Sequence, residues 1–192
     1  MITDTFVAEV AAGKKTNETM NLSSTALNAA GIDVIGQIEV YFHMYDSETW
    51  DDIAKTDCIT IKTSMYDQMD KTVDDAGQVL YDKDGIKIIG KYVDETSFWG
   101  AGIVVYIENN TDKNVLIQVD NLSVNGFTLG SAIFSSDVYA GKKAFDDITL
   151  FSSELEENDI KSVEEVTLTF VIINPDTYDT ISRSDEITFK TK

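Results

Sequence analysis

Cysteine, histidine and proline each occur once in these 192 residues. A single thiol closes no disulfide, and a zinc site made by side chains takes three or four Cys or His ligands, so neither can be built within the chain. Basic residues are also scarce: 15 Lys and Arg stand against 34 Asp and Glu, a formal net charge of −19. That balance excludes a binder of nucleic-acid backbone, which needs a basic footprint. No apolar run approaches the roughly 18–20 residues that a membrane-spanning helix requires. Core-forming material, by contrast, is plentiful. At 43% hydrophobic and 10% aromatic the chain is too apolar for a disordered acidic tail, and its length suits one large domain or two small ones. The start MITDTFVAEV has neither the basic region nor the apolar stretch of a signal peptide. The expectation is that the protein is cytoplasmic or that a leader segment lies upstream.

What the chain does contain is an internal repeat. FVAEVAAGKK (6–15) reads again as FSSDVYAGKK (134–143), and DCITIKT (57–63) as DEITFKT (185–191), both at an offset of 128. The whole stretch 6–63 lies on 134–191 without a gap, and 19 of its 58 positions are identical. Chance does not hold one register over that length. The repeat unit ends with the ITxKT strand, and SMYDQMDKTVDDAGQ (64–78), Asp-rich and without apolar periodicity, follows its first copy. This composition suits a linker. The expected organisation is therefore 1–63 as the C-terminal half of a unit, 64–75 as an acidic linker, and 76–192 as a complete unit. A different phasing would make 1–128 the domain and leave the last third over.

Alternation with period 2 dominates the pattern. In GQIEVYFHMY (36–45), Ile38, Val40, Phe42 and Met44 share one face, and their repeat partners are Val166, Leu168, Phe170 and Ile172. Strands are expected at 85–93, 101–109, 114–124, 136–140, 144–151 and 186–190. The turn Asn110-Thr111-Asp112-Lys113 suggests a hairpin that sets Ile103, Val105 and Ile107 against Val115, Ile117 and Val119. One short helix per copy is expected, its second copy opened by a capping box at Ser153 and Glu156 and its first stopped at Gly31. Seven or eight antiparallel strands over about 115 residues indicate an all-β, immunoglobulin-like antiparallel β-sandwich, repeated.

SFWGAGIVVYIENNTDKNVLIQVDNLSVNG (97–126), AGKK, LEENDI (155–160) and ALNAAGIDVIGQIEVYFHMYDSETWDDI (26–53) together resemble tandem immunoglobulin-like domains of unknown function from exported proteins and lipoproteins of Gram-positive, Clostridia-type bacteria. The resemblance implies an extracellular or cell-envelope setting, reached through a signal or anchor segment that this chain does not contain. It carries over no catalytic residues.

Candidate sites are few. Trp50 and Tyr178 hold the same position in D-S-E-T-W-D-D and P-D-T-Y-D-T. Aromatic rings beside carboxylates suit sugar binding, and they equally suit anchors packed on the end of a sandwich. Asp82 and Asp84 in YDKDG (81–85) offer oxygens to Ca²⁺, although a tight turn before the next strand explains them as well. Asp46, Asp51 and Asp52, with Asp176 and Asp179 in the other copy, read as solvated acidic loops. Trp99 and Phe98 read as core or rim. Cys58 falls on the Thr60 and Lys62 face of its strand, and His43 is Val171 in the other copy, so a Cys–His nucleophile pair is not expected.

The sequence therefore points to a non-enzymatic extracellular or cell-surface structural or binding module that needs no cofactor. Its partners would be an unidentified protein or glycan at the cell surface, with self-association through the half repeat. The alternative function is a carbohydrate-binding module that uses the Trp50 and Tyr178 loops. A carboxylate hydrolase would require a cleft between units.

Overall fold

A computed structural model describes residues 6–22, 27–28, 30–70, 72–97, 99–131 and 133–191. The chain is built of antiparallel strands and divides into two compact units, one over Asp4–Val73 and one beginning at Asp74. Residues 64–73 thus fall in the first unit. They include a 3-10 turn at Tyr66–Gln68, and Met69 sits so close to Gly36 that a Cβ there would lie 2.6 Å from the Met69 Cβ.

Among its described residues the first unit has four short strands: β1 (Gln37–Val40), β2 (His43–Tyr45), β3 (Asp52–Lys55) and β4 (Ile59–Lys62). They pair in two ladders, β1 with β4 and β2 with β3. The alternating run 36–45 is therefore broken at Tyr41–Phe42 into two strands of separate sheets. Residues 6–22 form a turn at Gly13 but no strand. Gly13 has φ 67°, and the Lys14 amide donates to the Ala11 carbonyl at 2.9 Å. Gly31 stands at φ 61° where the chain leaves Leu27 and Asn28, and the Ile32 amide donates to the Leu27 carbonyl at 2.9 Å, as a left-handed stop requires.

The second unit holds β5 (Gln78–Lys83), β6 (Ile86–Asp94), β7 (Gly100–Asn109), β8 (Val115–Val124), β9 (Phe127–Thr128), β10 (Ser135–Val138), β11 (Lys143–Phe151), α1 (Ser152–Glu157), β12 (Glu165–Ile173), β13 (Thr180–Arg183) and β14 (Ile187–Lys190). Four strands make one sheet in the order β11-β7-β6-β5. Six make the other, β10-β8-β12-β13, with β9 on β8 and β14 on β12. Alternate residues of both sheets meet in one core in which Ile88, Val105, Ile107, Ile117, Val124, Val166 and Phe170 are fully buried. A two-layer, all-β sandwich follows from that single shared core.

Two expectations are corrected. β7 and β8 are not a hairpin. β7 pairs with β6 and β11, whereas β8 pairs with β10, β12 and β9. Residues 110–113 carry the chain from one sheet to the other, with Asn109 locking the corner by donating to the Lys113 and Val138 carbonyls, both at 2.8 Å. Ile103, Val105 and Ile107 do share the core with Val115 and Ile117, but across the sandwich. Apolar alternation specifies which face is buried, not whether the opposing strand lies alongside or opposite. The capping box is also absent. Phe151 is the N-cap, with no side-chain cap, and Ser153 is already inside the helix. Glu154 instead accepts from the Gly130 and Ser131 amides at 2.9 and 3.2 Å, tying α1 to the loop after β9.

The ladders within 37–62 recur 128 positions later. Gln37 opposite Lys62 and Val40 opposite Ile59 correspond to Glu165 opposite Lys190 and Leu168 opposite Ile187. His43 opposite Lys55 corresponds to Val171 opposite Arg183, and the irregularity between Met44 and Tyr45 to that between Ile172 and Ile173.

Candidate functional site

The two aromatic loops are turns closed by their own side chains. In the first unit, Asp46 Oδ1 accepts the Glu48 and Thr49 amides, both at 2.9 Å, and the Trp50 amide donates to the Asp46 carbonyl at 2.9 Å. In the second, Asn174 Oδ1 accepts the Asp176 amide at 2.9 Å and the Thr177 amide at 3.4 Å, and the Tyr178 amide donates to the Asn174 carbonyl at 2.8 Å. Thr49 and Thr177 donate to Asp51 and Asp179 at 2.9 and 2.8 Å. These side chains therefore build the turns and do not merely solvate them. The hydrogen bonds donated by the Thr49 and Glu48 amides hold the Asp46 carboxyl below its ordinary range.

This geometry forces Trp50 to φ 63° and Tyr178 to φ 59°. A bulky side chain in the left-handed region costs on the order of 1–2 kcal/mol. Burial of the ring does not offset that cost, because Trp50 is 71% exposed and Tyr178 75%. The anchor reading is thus corrected: the rings project from the loops and are not packed on the end of the sandwich. Trp50 does stack on Tyr45, with ring centroids 5.1 Å apart and planes at 15°.

Beside this aromatic pair lies a charge cluster that the sequence did not reveal. His43 Nε2 is 2.6 Å from Asp52 Oδ1, and Lys55 Nζ is 3.2 Å from Asp52 Oδ2. The hydrogen bond from His43, then that from Lys55, lowers the Asp52 carboxyl below its ordinary range. The His43 ring also meets Tyr45 edge-on at 5.7 Å. The β2–β3 hairpin therefore carries His43, Trp50, Asp52 and Lys55, all exposed, and the half-buried Tyr45 as one group. The only signal for it was the register of two strands separated by an irregular ladder. The corresponding hairpin of the second unit is different: Val171 and Ile173 are buried with Leu116, and Arg183 pairs with Asp120.

The other candidates do not converge. Asp82 stands opposite Lys87 in the β5–β6 ladder. Asp84 and Gly85, at φ 52° and 81°, form the two-residue turn that joins those strands, and an L-residue followed by Gly at positive φ is what such a turn demands. Among the described residues, no group of three or more His, Cys, Asp or Glu side chains is placed to hold a metal ion. Cys58 is exposed and donates to Glu39 Oε2 at 3.9 Å, whereas His43 is engaged with Asp52, so the two are not a pair. Trp99 is 59% exposed and meets Phe151 edge-on, and Phe98 lies outside the described residues. Gly141 at φ 67° makes the turn before Lys142 and Lys143, as Gly13 does before Lys14 and Lys15. Lys143 then pairs with Glu108 at 3.2 Å. Among the described residues, no helix is long and apolar enough to cross a membrane. Comparison with the models of known protein families finds no match, and comparison with curated proteins finds none either.

Proposed function

We propose that the chain is a non-enzymatic module of tandem immunoglobulin-like β-sandwich units, of the kind found in exported proteins of Gram-positive bacteria, and that it displays or binds at the cell surface. The observation that carries this reading is the pair of exposed aromatic residues held at a costly backbone angle in loops of matching geometry. Aromatic rings kept out in water at an energetic cost suit a contact made with something else. The recurrence of ladder register and turn geometry at an offset of 128 supports the tandem-unit part of the reading. A charge of −19 keeps such a module soluble and repels anionic polymers.

Carbohydrate is the second reading. The stacked Tyr45–Trp50 platform, flanked by the His43–Asp52 pair, offers a flat apolar face beside hydrogen-bonding groups. A panel of soluble oligosaccharides titrated against the whole chain, read by tryptophan fluorescence, tests it. Binding that Trp50→Ala or Tyr178→Ala removes at unchanged melting temperature supports the carbohydrate reading. No response to any member of the panel eliminates it and leaves a protein partner.

A further inference from the structure

The unit over 4–73 retains only part of the pairing seen in the second unit. Ladders whose two strands both fall within 134–191, namely β12–β14 and β12–β13, have counterparts in β1–β4 and β2–β3. Ladders that join 134–191 to 86–124, namely β10–β8, β11–β7 and β12–β8, have none among the described residues: 7–10 and 15–22 are not strands, and β1 and β2 each have one partner. The core follows the same division. Residues 80–129 contribute 13 of the 24 core side chains of the second unit and 134–189 the other 11. In the first unit none of the counterparts of those 11 is buried, and Met20, Leu22, Ile35, Ile38 and Val40 are half-buried. Phe6, Val10, Phe42, Met44 and Ile61 are 37–53% exposed, where Phe134, Val138, Phe170, Ile172 and Phe189 are at most 6% exposed.

We propose that the face formed by 6–22 and 30–63 is an acceptor site for a polypeptide with the strand pattern of 76–133, which closes it by adding a β8-like strand along β1 and β2, on the side away from β4 and β3, and a β7-like strand to residues 15–22. The second unit is the template, because the same chemistry already covers the same residues there. A second copy of the chain does not satisfy the site. Residues 6–192 hold two acceptor halves, 6–63 and 134–191, and one donor half that 134–191 already holds, so further copies of these residues alone do not close every face. Charge points the same way: two chains of −19 repel, whereas 76–133 carries seven carboxylates and four lysines, a net of −3. The donor is thus a distinct segment of that pattern, and the recognition is strand addition with apolar complementarity.

The test extends the full chain at its N-terminus with a second copy of 76–133 joined to Phe6. In a Cys58→Ser background, the thiol introduced by Ile61→Cys reports the closed face, and that introduced by Thr60→Cys reports the outer one, since its counterpart Thr188 is exposed in the closed unit. The Ile61→Cys thiol should react with an aromatic disulfide reagent about tenfold or more slowly in the extended chain than in the original. The Thr60→Cys thiol should react equally in both. Equal labelling at position 61 with and without the extension overturns the proposal. So does an unextended chain that sediments as a dimer with position 61 already protected, which would make a second copy the occupant.

Discussion

Phe42 and Phe170 allow a matched experiment within one molecule. They are the same residue 128 positions apart, and in each the amide donates to a hydroxyl 14 residues on, Thr56 and Ser184, at 2.9 Å. Burial separates them: Phe170 is 0% exposed and Phe42 43%. Phe170 also meets Phe134 edge-on, with centroids 6.4 Å apart. Phe170→Ala removes a fully buried ring and leaves a cavity between two sheets, which costs about 3–5 kcal/mol. Phe42→Ala removes a ring that is already half in water and leaves no cavity, so about 1 kcal/mol or less is expected. In urea, with a slope of roughly 1–2 kcal/mol/M for a unit of this size, the Phe170→Ala midpoint should fall by about 1.5 M or more. The Phe42→Ala midpoint should move by less than about 1 M. Circular dichroism follows the sheets, while Trp99 and Trp50 report their own units by fluorescence. Equal losses from the two substitutions would refute the reasoning, because they would mean that the two faces are equally covered.

Two further outcomes follow from local geometry. Gly100, at φ 147°, opens β7 with its α-carbon so close to β11 that a Cβ would lie 2.2 Å from the Leu150 carbonyl oxygen. Gly100→Ala should cost about 3 kcal/mol or more by parting the strands there, seen as a lower thermal midpoint; an unchanged midpoint would contradict the placement. Burial, then the hydrogen bond to Glu108 at 2.6 Å, pushes the Tyr106 hydroxyl up to about 12. The unfolded chain loses that proton near pH 10 and the folded chain does not, so the contribution of Tyr106 is intact below pH 10. It falls by about 1.4 kcal/mol for each pH unit from there to about 12. Tyr106→Phe should flatten that part of the stability profile, and an unchanged alkaline slope would show that other groups set it.

How much of this was legible in the sequence depends on what each signal encodes. Alternation at 38, 40, 42 and 44 named the residues whose counterparts are core, because side-chain period is a property of one strand alone. Gly31 and Asp84-Gly85 were readable because positive φ selects few residue types. The split of β7 and β8 between sheets was not, since the corner rests on Asn109 bonds to Lys113 and to the distant Val138. The pattern likewise read 36–45 as one strand. The counterpart β12 stays one strand along β8, with a ladder irregular between Thr167 and Thr169, whereas 36–45 divides at Tyr41–Phe42. At the candidate site the aromatic positions were visible as Trp50 and Tyr178, but their exposure was not, because it depends on the left-handed backbone of the turn. The His43–Asp52 contact joins residues nine apart across an irregular ladder, a register that no short motif specifies.

Hydrogen exchange of the whole chain at neutral pH tests the central claim most directly, namely that the second unit closes its strands over a core while the strands within 30–63 leave theirs exposed. Amides of Glu165–Ile173, paired on both edges and over a buried core, should be protected by orders of magnitude more than those of Gln37–Tyr45 at the same positions 128 residues earlier. Equal protection in the two stretches would contradict the account.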